Sequence, residues 1–414
     1  MFDENFLLDS FSMTGNSLSK FEAVLDEMLR CTIFEKKSSR DVQLLSYVED
    51  DDKNIVFYKL NPDNLHSGST TYPIAMPRVS LSKAKVLKRG NFEKILEEVK
   101  ETKLAIHDTT KTYFVSKNVF ATMDAFGLKG SFLETPCLER DIMVAKQFSY
   151  GRNCTLVTKT FGDARKVFAV LSDKYTTVPQ SVLVDIVNNI EKKNILGKVV
   201  CRHWEVNHFA SLLYVEFPEK AEELKKFYGL SADFVPGLFL ATSDTGDCSL
   251  TIRGTWRIGN SYSLHKEVKR KHTGKIDIEK IISDIDKTIF AEYAKLPETL
   301  CDLMSFDITD PSWDLSTTKG QRRNEKAVAD TLMSVFQQIA LVKAIGKKTE
   351  KSLREQLCSE FDYSLPYTAY DLCFAIMNMP ARTSGLNATC QQAFEKAVGN
   401  TPYANYSPST AVLI

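Results

Sequence analysis

Apolar residues recur at helical spacing near the start of the chain. Phe21, Val24, Leu25, Met28 and Leu29 share one face of "SLSKFEAVLDEMLRC", with Ser17 placed to cap it. "VQLLSY" and "NIVFYKL" then predict a strand pair around the acidic turn Glu49 to Asp52. "NFEKILEEVKETK" predicts a further amphipathic helix, and "TYFVSKNVFATM" a return to strand. The acidic turn reads as a hairpin tip. Adjacent carboxylates on extended chain cannot converge on one ion, and the spacing and glycine of a calcium loop are missing.

From about 136 to 275 the pattern changes to short runs of β-branched and aromatic residues bounded by turn residues. These are "NCTLVTKTFG", "DARKVFAVLSDKY", "KVVCRHWEV", "HFASLLYVEF", "FVPGLFLATSDTG" and "CSLTIRGTWRIG". Two helices interrupt them, one with Pro179 in its first turn and one with Pro218 near its start and Gly229 just past its end. From 276 the helical period takes over. Ile278, Ile281, Ile282, Ile285, Ile289 and Tyr293 form one apolar stripe. "DITDPSWDLSTTKGQRRN" predicts a connecting loop, "EKAVADTLMSVFQQIALVKAIG" a long helix, and 350–359, 366–378 and 388–399 shorter ones.

This order of elements predicts an α+β fold: a mostly antiparallel sheet with helices on one face, followed by a helical C-terminal region. The implied divisions are an α+β region at 1–135, a strand-rich core at 136–275, a helical region at 276–400 and a loose tail at 401–414.

Composition narrows the function classes. The 414 residues carry 53 basic and 53 acidic side chains, which argues against a surface that tracks polyanions everywhere but permits local patches. The longest apolar runs fall far short of a membrane span, and the acidic opening "MFDENFLLDSFSM" has no basic leader pattern, so no membrane partner is expected. Nine cysteines without a Cys-x-x-Cys pair suit reduced thiols in a cytosol better than a disulfide framework or zinc knuckle.

Catalytic signatures are missing. The phosphate-loop, dinucleotide, zinc-protease and nucleophile-elbow motifs are all absent from the sequence. The best metal candidate is "HWEVNH", where His203 and Glu205 would share a strand face while His208 lies past a turn; a plain cross-strand contact is the expected role. Asp284 and Asp286 diverge on their helix. No catalytic residue, metal or cofactor is therefore expected. An enzyme would need Ser243, Asp244, His265 and His272 to converge through the fold alone.

One segment stands out by charge. Between Thr251 and Lys275 seven cations, Arg253, Arg257, Lys266, Lys269, Arg270, Lys271 and Lys275, face a single acid, Glu267, for a net +6 in a neutral chain. Arg253 and Arg257 would sit on one strand face, and "GNSYSLHKEVKRKHTGK" would add a flexible cationic clamp for phosphate oxygens. Tyr262 or Trp256 would stack on bases if exposed. Lys319, Arg322, Arg323 and Lys326 form a second basic knot at the mouth of the long helix. The competing expectation is a solvated basic loop. With all seven cations engaged, the log–log salt slope of binding would reach at most about −5 on single strands and about −6 on duplex.

Several phrases, taken in order, resemble an uncharacterised family of phage- and plasmid-borne proteins. They are "RKVFAVLSDKYTTVPQSVLVDIV", "PGLFLATSDTGDCSLTI", "KRKHTGKI" and "TAYDLCFAIMNMPARTSGLNATCQQAFEKAVG", and the match covers roughly 150 to 400. The strand leading into "LSDKY..VPQ" is also similar, over a short stretch, to the sheet of phage single-strand annealing proteins. The resemblance implies a mobile-element origin and the cytoplasm of a bacterial host, and it implies no activity. The function expected is non-enzymatic association with single- or double-stranded DNA in replication, recombination or protection of the element. The alternative is a module that binds host or phage proteins, such as an inhibitor of a defence enzyme or an assembly scaffold.

Overall fold

The computed structural model describes residues 2–49, 55–60, 74–80, 93–99, 104–108, 111–126, 128, 133, 138–162, 164–228, 234–272, 276–384, 386 and 388–406. Most of the acidic turn after Glu49, Lys275 and the chain beyond 406 therefore lie outside the described residues.

Fourteen strands among the described residues form two sheets, and the fold is α+β. In chain order the strands are β1 (Ser12–Gly15), β2 (Thr32–Ser38), β3 (Val42–Glu49), β4 (Ile55–Leu60), β5 (Ile74–Ser80), β6 (Leu104–Asp108), β7 (Lys111–Val115), β8 (Asn153–Phe161), β9 (Ala164–Ser172), β10 (Val200–Asn207), β11 (Ser211–Glu216), β12 (Phe234–Thr242), β13 (Leu250–Ile258) and β14 (Ser261–Arg270). One sheet has the order β2-β8-β9-β7-β6-β3-β4-β5, antiparallel throughout except where β7 meets β9. The other, β1-β10-β11-β12-β13-β14, is wholly antiparallel.

Sheet membership cuts across the sequence boundary near 135. β8 and β9 pair with β2 and β7, and β1 pairs with β10. Helix α1 (Leu18–Arg30), capped by Ser17, carries the chain from β1 in one sheet to β2 in the other. At this crossing Trp204 packs where Gly15 has no side chain, and its ring N–H donates to the Ser17 carbonyl at 3.0 Å.

The remaining helices follow the apolar stripes. In chain order they are α2 (Glu93–Val99), α3 (Leu138–Ser149), α4 (Val182–Lys192), α5 (Pro218–Tyr228), α6 (Ile278–Ile285), α7 (Ala291–Met304), α8 (Thr318–Gln338), α9 (Leu341–Ile345), α10 (Lys347–Glu360), α11 (Ala369–Met377) and α12 (Ala388–Val398). A π-helical turn, Asp286–Phe290, joins α6 to α7. It keeps Ile285, Ile289 and Tyr293 facing inward, all of them buried against β13. There the Tyr293 ring lies edge-on to Trp256 at 5.2 Å, and its hydroxyl accepts the Thr255 N–H and donates to the Gly237 carbonyl. One continuous core runs from Phe6 through both sheets to the C-terminal helices, and a second lies under α3.

Several expectations are corrected. "TYFVSKNVFATM" is strand only as far as Val115, then a 3-10 turn from Lys117 to Phe126, because its apolar residues Val119, Phe120 and Met123 all face one core. The expected loop before the long helix is shorter, since α8 begins at Thr318 behind the cap residue Thr317. The part of the tail that is described is packed: Thr401 and Tyr406 are buried, and the Tyr406 hydroxyl donates to the Thr401 carbonyl at 3.1 Å.

Helix α12 reaches the sheet's outer face through a close approach. A Cβ on Gly399 would lie 2.1 Å from the Leu264 carbonyl oxygen of β14. Gly399→Ala is expected to lever α12 off β14 and to cost about 1–3 kcal/mol, measured by urea unfolding.

Candidate nucleic-acid interface and the seam behind it

The segment expected to be a flexible clamp is instead the edge strand β14, joined to β13 by a two-residue turn whose Gly259 has φ +56°. Continued without interruption, that hairpin register would set Lys266 against Arg253. A bulge after Leu264 shifts the pairing by one, so Glu267 faces Arg253 instead. The bulge replaces a like-charge pair with a bridge of 2.9 Å.

The other arginines are likewise engaged. Arg257 grips Glu216 with two nitrogens, at 2.6 and 3.3 Å, and donates to the Gly259 carbonyl at 2.7 Å. Glu216 is buried and also accepts the Tyr262 hydroxyl at 3.0 Å. Arg270 turns to the opposite face and pairs with Asp284 of α6. Trp256 is fully buried, so it cannot stack on a base. Tyr262 is half-buried against the Tyr214 ring.

What remains is a set of exposed lysines. Lys266, Lys269 and Lys271 lie at the outer edge of the six-stranded sheet, and none of them is ion-paired among the described residues. Arg322 and Arg323 are exposed in the first turns of α8, a helix that packs on α9 and α10. Lysines on an edge strand also have a structural use, since they discourage edge-to-edge pairing.

Behind this edge lies a polar seam. His272, one residue past Lys271, is buried, and its carbonyl accepts the Thr176 N–H at 2.8 Å. Its Nδ1 lies 2.7 Å from the Tyr175 hydroxyl, which also reaches the Ser243 carbonyl at 3.0 Å. Ser243 opens the loop between β12 and β13, where Asp244 turns inward to Lys159 of β8 at 3.1 Å. Both partners are buried.

Lys159 stands directly opposite Lys166 of β9 in the hairpin register. Lys166 is held by Asp9 at 2.9 Å and Glu98 at 2.8 Å, and both ammonium groups lie over the Phe168 ring. His208 packs on the same ring at 4.1 Å and bonds the Phe6 carbonyl.

The electrostatics follow burial. Desolvation pushes Asp247 up to about 6, with the neighbouring Asp244 charge adding to the shift and the Thr245 hydroxyl opposing it. It lowers His272, raises Tyr175, and takes His208 well below its usual value with help from Lys159.

Ser243, Asp244 and His272 thus do gather, but as a scaffold. The Ser243 hydroxyl is tied to Thr245 at 3.0 Å, Asp244 is committed to Lys159, and His265 bonds Ser263 within β14. His203 and His208 of "HWEVNH" face different surroundings, and among the described residues no three ligand side chains cluster for a metal ion. Among the described residues, no helix is long and apolar enough to cross a membrane, and the eight described cysteines are free thiols.

No protein family, no curated protein and no solved structure matches this chain.

Proposed function

We propose that the chain binds nucleic acid without catalysing a reaction, along the lysine edge of β14. The observation that carries this reading is the contrast within the strip. Arg253, Arg257 and Arg270 are neutralised by carboxylates, whereas Lys266, Lys269 and Lys271 are exposed and unpaired among the described residues. Such a row suits phosphate oxygens, which position a strand without reading its sequence. From the sequence phrases that resemble phage- and plasmid-borne proteins we infer, as part of the proposal, that the target is the DNA of a mobile element inside a bacterial cell.

With three lysines in contact, the log–log salt slope is expected near −2 on single strands and about −3 on duplex, well below the value for the whole strip. Fluorescence anisotropy with labelled oligonucleotides, scanned between about 50 and 200 mM salt, reads it directly. Reversing Lys266, Lys269 and Lys271 to glutamate should abolish binding to every sequence alike. A flat salt response, or unchanged affinity in the triple variant, would leave the lysines as guards of a sheet edge and would turn attention to protein partners.

A further inference from the structure

One row of side chains beneath α12 links the lysine edge to a buried acid. Tyr214 of β11, Phe239 of β12, Arg253 of β13 and Glu267 of β14 stand side by side in the sheet register. Glu395 of α12 meets the Tyr214 end of this row, and Lys396 lies 3.9 Å from the Glu267 end. Arg253 sits between the two carboxylates. It bridges to Glu267 at 2.9 Å, its guanidinium lies 6.0 Å from the Phe239 ring centre, and its charge acts on Glu395. We infer that Arg253 is a relay: ionised Glu395 draws it off Glu267, and Glu267 then takes up Lys269 and weakens phosphate binding at the edge. The inference rests on the nucleic-acid reading above and adds to it a regulation by pH.

Both acids are placed for the exchange. Lys269 follows Glu267 by two residues on one face of β14, about 7 Å along the strand. Desolvation works to raise the Glu267 carboxyl, but the hydrogen bond and charge of Arg253, with Lys396 and Lys269, hold it below its usual range. Once Arg253 leaves, those two lysines are its remaining cations among the described residues. Glu395 is 6% exposed, and burial pushes its carboxyl up to about 7, so its charge appears around neutral pH. A buried charge needs a counter-ion, and the cation acting on Glu395 is Arg253.

The other charges around α12 are committed elsewhere. His203 of β10 is exposed and faces the Tyr214 ring at 6.4 Å, and Glu216 of β11 is held by Arg257. Besides β14, the elements packed on α12 are α9, α11 and the 3-10 turn Pro380–Arg382. Lys343 of α9 is exposed to solvent, Asp371 of α11 caps its own helix at Thr368, and Arg382 pairs with Glu360.

The test measures the affinity of the full chain for a labelled single strand at pH 6 and pH 8.5, in about 100 mM salt. Taking one lysine out of contact makes the salt slope shallower by about 0.7, roughly a fivefold loss of affinity at that salt. Glu395→Gln should therefore match the parent at pH 6 and bind about fivefold more tightly at pH 8.5. Comparing the two proteins at one pH cancels the titration of His203. Placed in a Glu267→Gln background, Glu395→Gln should change nothing at pH 8.5, because the acid that takes up Lys269 is gone. Simple repulsion between Glu395 and phosphate would instead give the same gain in both backgrounds. Equal affinity of Glu395→Gln and parent at pH 8.5, or a gain that persists without Glu267, overturns the relay and leaves the phosphate reading standing. No binding by the parent at pH 6 overturns both.

Discussion

Asp244→Ala is expected to cost about 3–5 kcal/mol of stability, the largest loss predicted for any single polar substitution in this chain. Lys159 is fully buried, and besides Asp244 its ammonium meets, among the described residues, only the Met28 sulfur at 3.3 Å and the face of Phe168. Directly across the hairpin stands a second buried ammonium, Lys166. Removing the carboxylate leaves a fully buried charge with only the more distant influence of Asp247 among the described acids, while a like charge faces it. The double variant Lys159→Met, Asp244→Leu should recover most of the loss, because two apolar side chains need no mutual neutralisation. Urea unfolding of the parent, the single variant and the double variant supplies the comparison. A single-variant cost below about 1 kcal/mol would mean that the lysine escapes to solvent, and the seam would then not be dry.

The period of apolar residues made the strands from 153 to 258 and the stripe from Ile278 to Tyr293 legible, since each is dictated by near neighbours. The seam was not, because its partners are remote in the chain: Asp9 and Glu98 meet Lys166, and Asp244 meets Lys159. A local signal was nonetheless present. Lys159 and Lys166 lie symmetrically about the Gly162 turn, so the shortest hairpin sets two lysines opposite each other inside apolar strands. That arrangement requires carboxylates from elsewhere.

The basic strip shows the converse error. Its net charge was plain, but charge summed along a segment ignores cross-strand partners, and Glu216 and Asp284 lie outside the strip. The bulge that brings Glu267 against Arg253 depends on Leu264 staying buried beside Phe239 after the strand has passed the turn. Counting residues cannot reveal that.

Glu395→Gln is expected to make the protein more stable above neutral pH, with no gain near pH 4. Glu395 is 6% exposed on α12, where its carboxylate accepts from Gln391 at 3.1 Å and from Tyr214 at 3.4 Å, close to the Arg253 charge. Burial raises it from 4.5 to about 7 against these three opposing influences. An acid whose folded value is raised contributes stability that is complete below its unfolded value and is lost as pH climbs to the folded one. The loss here is about 3 kcal/mol, spent between pH 4.5 and 7.

The histidines act in the opposite sense. His208, His265 and His272 are all lowered by burial, His265 to about 3, so their contribution is complete above 6.5 and fades on acidification. Between pH 4.5 and 6 the histidine protons taken up on unfolding oppose those that Glu395 and Asp247 hold in the folded state. Without the Glu395 proton the slope between pH 4.5 and 7 should be more positive than the parent's by about 1.4 kcal/mol per unit, and the variant should lead the parent by about 3 kcal/mol at pH 8. Urea unfolding at half-unit steps from pH 4.5 to 8 measures both quantities. Parallel curves for the two proteins would show that Glu395 is ionised at no cost, and that α12 lies less tightly on the sheet face than Tyr214 and Gln391 require.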